Sequence, residues 1–208
     1  MSDQQRTFRQ TITGEEIEQL PRKCFPGRII VVHNGVTMRQ AEKALRGAEV
    51  LGYDTETRPS FTKGANHKMA LMQLATHDTA LLFRIQKASL SKTVINILQD
   101  PSVKKIGAAI RDDIKSTLKS SMFRPEGFID LQSIVHEWGI GEKSVKKMAA
   151  IVLDIKVSKA QRLSNWEAQR LTEAQQDYAA MDAWVCREIY VKLMQTFKPD
   201  GKDTTQKG

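Results

Sequence analysis

The sequence contains 208 residues, 40% of them hydrophobic and 27% charged, a composition typical of one folded globular domain. It has no uninterrupted apolar run of about 18 residues, which argues against a membrane-spanning helix, and its polar first residues predict no signal sequence. We therefore expect an intracellular protein, cytoplasmic if bacterial. The net charge of +8 favours a polyanionic partner.

The first half of the chain predicts several strands. Residues 1–24 are polar without a sustained period, and we expect a flexible arm ahead of a folded domain at 25–197. A capping-box pattern that starts at Thr37 predicts a short helix to about Gly47. Strands are predicted at 28–33, 50–57, 69–75 and 79–83, the last two as a hairpin.

From residue 89 onward the spacing of apolar residues becomes helical. Helices are predicted at 90–98, 111–118, 131–138, 145–152 and 172–195. Short strands are predicted at 103–107 and 128–130, and we expect the tail at 198–208 to be disordered. Early antiparallel strands followed by βα segments indicate an α/β fold with a mixed sheet flanked by helices.

Two carboxylates end the second predicted strand. Because side chains alternate along a strand, Asp54 and Glu56 face the same way. At about 4 Å and an effective dielectric constant near 20, two like charges repel by roughly 4 kcal/mol, so the pair needs water or a cation. The pair is a candidate metal site, and a strand end whose acids face water is the alternative.

Two later segments carry further acids. Asp112 and Asp113 begin a predicted helix after Gly107, where the helix dipole favours acids even without a function. Tyr178 and Asp182 share a face of the last predicted helix. Asp182 lies at or near the buried face of that helix, and a buried acid there needs a partner that the local sequence does not supply.

Taken together, Asp54-Thr55-Glu56, the segment Gly107 through Asp113, and the segment Tyr178 through Asp182 resemble the three motifs of the DEDDy 3′–5′ exonucleases. The chain is similar to the exonuclease domains of RNase D and of the Werner-syndrome protein from about residue 28 to 195. The resemblance implies a ribonuclease-H-like mixed sheet flanked by helices. It also implies a two-metal enzyme, using Mg²⁺ or Mn²⁺, that releases nucleoside 5′-monophosphates from the 3′ ends of DNA or RNA.

The resemblance implies a role for each matched residue. Asp54 would bridge both ions. Glu56 and Asp182 would hold the ion that activates water. Asp113 would serve the second ion, with Asp112 as the alternative for that position.

The resemblance also implies groups that contact the substrate. Tyr178 would position the attacking water, with help in deprotonating that water as the alternative; the pKa near 10 of a free tyrosine favours orientation unless the ions depress it. We expect part of a basic cluster to contact phosphate: Lys143, Lys146, Lys147 and Arg162. A loop after the acidic strand could touch a terminal nucleotide or simply be solvated: Lys63, Asn66 and His67.

Except for His67 in the loop above, the histidine, tryptophan and cysteine side chains are expected to have structural roles and not to bind metal or substrate. The histidines lack the spacing of metal ligands: His33, His67, His77 and His136. The tryptophans lie at helical positions and are expected in the core: Trp138, Trp166 and Trp184. Cys24 and Cys186 are far apart and fit a reduced compartment, with Cys186 expected in the core.

The sequence leaves two other functions open. The first is a catalytically silent nucleic-acid-binding domain of the same fold. The second is a phosphatase of another fold that uses Asp54 as nucleophile. A phosphatase of that kind would need a second aspartate where the chain has Glu56, and it would leave Tyr178 and Asp182 without a role.

Overall fold

The computed structural model describes residues 8–59 and 68–196, which form a mixed sheet with helices on both faces. The strands are β1 (Arg28–Val32), β2 (Val50–Thr57), β3 (Met69–Ala75), β4 (Thr79–Arg84), β5 (Lys104–Gly107) and β6 (Phe128–Asp130). The helices are α1 (Gly14–Gln19), α2 (Gly35–Ala44), α3 (Lys92–Leu98), α4 (Arg111–Ser120), α5 (Leu131–Ile134), α6 (Val145–Leu153) and α7 (Glu173–Thr196).

The strand order places the acidic strand in the interior of the sheet. The order is β1-β4-β3-β2-β5-β6, with β3 antiparallel to both β2 and β4 and every other pair parallel. The carboxyl ends of β1, β2, β4, β5 and β6 therefore meet at one edge of the sheet. This arrangement confirms the predicted mixed sheet and the predicted hairpin of β3 and β4.

Side chains of β2 alternate between two packed layers. Leu51 and Tyr53 are buried on the face covered by α2, α3 and α4. Gly52, Asp54 and Glu56 point to the other face, where α6 and α7 pack. The sheet is thus covered on both faces, and the two carboxylates emerge where β2 reaches the edge.

Gly52 sets the distance between β2 and α7. A Cβ atom added at residue 52 would lie 1.8 Å from the carbonyl oxygen of Ala183, in the middle of α7. Only a residue without a side chain lets the helix backbone approach the strand this closely. The crossing brings Asp182, the neighbour of Ala183, beside the end of β2.

Several boundaries differ from the predictions. The arm predicted at 1–24 is wrong for residues 8–24, because a capping box at Thr13 starts α1 and Ile17 is buried in the core. Helix α2 starts after Asn34, whose side chain caps it together with Thr37, so Thr37 lies inside the helix. The helix predicted at 131–138 is a short α-helix that continues as a 3₁₀ turn.

Other predictions about the core are confirmed. A capping box between Thr172 and Gln175 begins α7, the longest described helix. Cys186 and all three tryptophans are buried. No helix in the two described ranges is long and apolar enough to cross a membrane. The predicted tail at 198–208 and the loop residues Lys63, Asn66 and His67 lie outside the described residues.

Candidate active site

The acids of β2 and α7 meet at the edge of the sheet. Ligand oxygens of Asp54, Glu56 and Asp182 all lie within 4.8 Å of one another, and the three side chains are half-buried. They come from positions far apart in the sequence, and the close crossing at Gly52 brings them together. The structure therefore unites three of the four acids that the sequence singled out as metal ligands.

The fourth acid approaches from the first turn of α4. Asp113 accepts a hydrogen bond from the hydroxyl of Thr55, the residue between the two acids of β2. Its neighbour Asp112 is exposed and pairs with Lys115 at 2.8 Å. Of the two adjacent acids, Asp113 is thus the one directed at β2, and its role as a metal ligand stays a prediction.

A tight turn between β5 and α4 makes this placement possible. A Cβ atom at Gly107 would lie 2.3 Å from the Ile110 side chain and 2.6 Å from the carbonyl oxygen of Tyr53. Ala109 has a positive φ of 59°, in the left-handed region that non-glycine residues seldom adopt. The turn brings the start of α4 against β2, and Asp113 follows within one helical turn.

The cluster carries more negative charge than its surroundings neutralise. Burial, followed by the charges of Asp182 and Asp113, raises the pKa of Asp54 well above its usual range. Burial and the same neighbouring acids, Asp54 foremost, raise the pKa of Glu56 to about 9. Burial raises the pKa of Asp182 to about 7, although Tyr178 and Lys159 oppose the shift. Such a site favours either protons or cations.

Tyr178 lies beside the cluster as a hydrogen-bond donor. Its hydroxyl is close enough to the Asp182 carboxylate to lower the pKa of that acid, and its ring lies 5.9 Å from that of Trp166, centroid to centroid. Burial and the neighbouring acids raise the pKa of Tyr178 above its usual value. The hydroxyl therefore keeps its proton at neutral pH.

A cleft of about 220 Å³ opens in front of the acids. Its lining includes Asp54, Tyr178 and Asp182. Four basic residues line the same cleft: Lys143, Lys146, Lys159 and Arg162. The positive charge beside the acids favours the approach of negative substrate groups.

Only some of the basic residues that were predicted to contact phosphate line the cleft. Lys143, Lys146 and Arg162 line the cleft, whereas Lys147 does not and pairs with Glu142 at 2.8 Å. Lys159 lines the cleft and lowers the pKa of Asp182, yet the sequence reasoning did not choose it from the basic cluster. Which of these basic side chains face the acids depends on tertiary packing. The local sequence has no pattern that distinguishes Lys159 from the other lysines.

Comparison with known proteins identifies relatives of most of the chain. A sequence model described as 3′–5′ exonuclease matches residues 29–198. The bifunctional 3′–5′ exonuclease/ATP-dependent helicase WRN of Mus musculus is 28% identical over 189 residues, which cover 85% of this chain and 13% of that protein. Exonuclease 3′–5′ domain-containing protein 2 of Drosophila melanogaster is 31% identical over 155 residues, covering 73% of this chain and 26% of that protein.

A solved structure shows the same fold. The crystal structure of Escherichia coli RNase D, described as an exoribonuclease involved in structured RNA processing, superposes with a TM-score of 0.70 and 25% identity. The match covers 79% of this chain and 44% of that one. The predicted ribonuclease-H-like mixed sheet is therefore confirmed. This chain spans about a quarter or less of the two curated relatives and under half of RNase D.

Proposed function

Because this chain belongs to the 3′–5′ exonuclease family, we propose that it hydrolyses phosphodiester bonds at the 3′ end of DNA or RNA and releases nucleoside 5′-monophosphates. One observation carries the proposal: oxygens of Asp54, Glu56 and Asp182 lie within 4.8 Å of one another beside a protonated Tyr178. The phosphatase with Asp54 as nucleophile is not retained, because family and fold both argue against it.

The donor set fits divalent metal ions. Carboxylate oxygens are the ligands that hard ions such as Mg²⁺ and Mn²⁺ prefer. The raised pKa values of Asp54, Glu56 and Asp182 indicate negative charge that the described side chains do not neutralise. We propose that Glu56 and Asp182 hold one ion, Asp113 serves a second, and Asp54 contributes to both. When bound, two such ions lower the pKa of the attacking water and stabilise charge on the reacting oxygens.

The other residues of the cleft would orient the substrate. Tyr178, beside Asp182, would position the attacking water as a donor, since its raised pKa disfavours a role as base. Lys159 and Arg162, which line the same cleft, would bind the non-bridging oxygens of the scissile phosphate. The 3′-terminal nucleotide would then lie in this cleft.

The test uses 5′-labelled single strands and partial duplexes, as DNA and as RNA, with Mg²⁺, Mn²⁺ or EDTA. We expect the wild type to produce a ladder that shortens from the 3′ end, in either metal and not in EDTA. Asp54→Asn should abolish the ladder. Asp112→Asn is the matched control, since it neutralises an exposed acid that pairs with Lys115, and it should cleave normally.

Two results would contradict the proposal. Cleavage that persists in EDTA, or that starts at internal positions, would refute metal-dependent removal of 3′ nucleotides. Binding of every substrate without cleavage by the wild type would instead support the alternative, a catalytically silent nucleic-acid-binding domain.

A further inference from the structure

A second basic cavity lies at the same edge of the sheet as the acids. It has a volume of about 410 Å³ and lies where β1 and β4 end, against the start of α7. Three of its lining side chains are basic, one is an imidazole and two are amides: Arg84, Lys87, Arg170, His33, Gln169 and Gln176. No aspartate or glutamate of the described ranges lines it. Its size suits a nucleotide-sized anion.

Sheet register places this cavity in line with the acid cluster. Glu56 of β2 is opposite Leu71 of β3, and Leu71 is opposite Arg84 of β4. Residues paired in this way point to the same face, so Arg84 and Glu56 share one row. Two strand spacings separate them, or about 10 Å between backbones. Adjacent phosphates of one strand are at least about 3.4 Å apart, so this distance corresponds to no more than roughly three nucleotides.

Arg84 gives the cavity a buried, uncompensated charge. Its side chain is 5% exposed, and burial lowers its pKa. It forms no ion pair with a carboxylate among the described residues, and the one hydrogen bond observed there goes to the carbonyl oxygen of Ala168. A guanidinium has five N–H donors, and a buried charge is costly unless it is paired. The nearby acid Glu167 pairs with Arg58 at 3.4 Å.

A structural role explains only part of this arrangement. Arg84 and Lys87 donate to the carbonyl oxygens of Ala168 and Gln169 and so fasten the segment 165–171 to the sheet. That role accounts for one hydrogen bond each. It does not account for Arg170, which is exposed, lines the cavity and makes no hydrogen bond or ion pair with another described residue.

We infer that this cavity binds a backbone phosphate of the nucleic acid strand, no more than roughly three nucleotides upstream of the bond to be cleaved. The inference rests on the proposed function for the position of the 3′ end. Arg84 supplies a fixed positive charge at the base of the cavity, while Lys87 and Arg170 contact the phosphate from its rim. A strand held at both places lies across the edge of the sheet with its 3′ end at the acids.

Arg170 is the best position for a test, because Arg84 also holds the segment 165–171. Affinity for 5′-labelled strands of 2 and 12 nucleotides is measured by fluorescence anisotropy in EDTA, at several salt concentrations. The variants are Arg170→Ala and the double variant Lys87→Ala/Arg170→Ala. Lys43→Ala is the matched control, because Lys43 is exposed on α2, on the opposite face of the sheet.

We expect the ratio of 12-mer to dinucleotide affinity to fall about fivefold in Arg170→Ala and further in the double variant. The plot of log affinity against log salt for the 12-mer should become shallower by roughly 0.7 for each phosphate that the variant no longer neutralises. Lys43→Ala should change neither quantity. Melting temperatures of Arg170→Ala and wild type should agree, since the Arg170 side chain makes no internal hydrogen bond or ion pair that the substitution removes.

An unchanged ratio in both Arg170 variants, or an equal fall in Lys43→Ala, would overturn the inference. Binding of a free 5′-mononucleotide that is abolished in Arg170→Ala would also overturn it, by assigning the cavity to a terminal phosphate. Because all of these measurements are made without metal, a failure of the wild type to hydrolyse any strand would refute the proposed function separately.

Discussion

In the absence of divalent cations, the protein should become less stable as the pH rises from 5.5 to 8. The pKa of Glu56 is raised from 4.5 to about 9 by burial and by the charges of Asp54 and Asp182. Below pH 4.5 the carboxyl is protonated in both the folded and the unfolded chain, so it imposes no penalty. Between pH 4.5 and 9 the unfolded chain loses the proton and the folded chain retains it. The free energy of unfolding therefore decreases as the pH rises.

The size of this effect follows from the shift in pKa. Each pH unit inside that window lowers the free energy of unfolding by about 1.4 kcal/mol. Glu56 alone therefore lowers it by about 3 kcal/mol between pH 5.5 and 8. One kcal/mol changes the melting temperature of a domain of this size by roughly 2–4 °C. We therefore expect a fall of roughly 6–12 °C. Burial raises the pKa of Asp182 to about 7, and the pKa of Asp54 is raised as well. Titration of these two groups therefore also lowers the stability as the pH rises.

The assay is thermal unfolding in EDTA at four pH values between 5.5 and 8, for the wild type, Glu56→Gln and Asp112→Asn. Glu56→Gln should melt higher than the wild type at pH 8 and depend less on pH. Asp112→Asn should retain the wild-type dependence, because Asp112 is exposed and paired with Lys115. Saturating Mn²⁺ should raise the wild-type melting temperature more at pH 8 than at pH 5.5, because the ion competes with protons.

A melting temperature that stays constant or rises with pH in EDTA would refute this reasoning. The same holds if Glu56→Gln and the wild type show equal slopes, since the buried carboxyl at residue 56 would then not be the group that titrates.

Two substitutions test the packing that places the acids. Gly52→Ala should destabilise the fold by about 3 kcal/mol or more, because its Cβ would lie 1.8 Å from the Ala183 carbonyl oxygen; an unchanged urea midpoint would contradict the close crossing. Lys105→Met should lower the free energy of unfolding by about 3 kcal/mol, because the buried Nζ donates to the carbonyl oxygens of Ile97, Asp100 and Val103 at 2.7–3.0 Å. Urea unfolding measures this loss, with the solvent-facing variant Lys119→Met as the control. Equal midpoints for the two variants would show that water replaces the lost donor.

The strands and the acid cluster were largely predictable from the sequence. Short apolar runs bounded by turn residues predicted the four early strands, and alternation along β2 predicted that Asp54 and Glu56 share a face. The position of Asp182 at or near the apolar side of a long helix predicted a buried acid that needs a partner from another segment. These signals are local, because a period or a spacing of a few residues contains all of the information.

What the sequence did not reveal depends on contacts between distant segments. Helix α1 has six residues and one buried side chain, Ile17, so it shows no period that could distinguish it from an arm. Asn34 and Thr37 are both good caps, and only the folded backbone decides that the helix starts at Asn34. Lys147 and Lys159 have the same charge, and the packing of α6 and the following loop decides that Lys159 lines the cleft.

The crossing of α7 over β2 also has a consequence for synthesis of the protein. Asp54 leaves the ribosome more than a hundred residues before Asp182, and α7 is the last described element of the chain. A nascent chain that lacks this helix leaves one face of β2 uncovered and cannot assemble the acid cluster. The contacts that complete the cluster close a long loop, which is the slow kind of step in folding. A partly synthesised chain therefore lacks the site, and the acids come together only when α7 packs against the sheet.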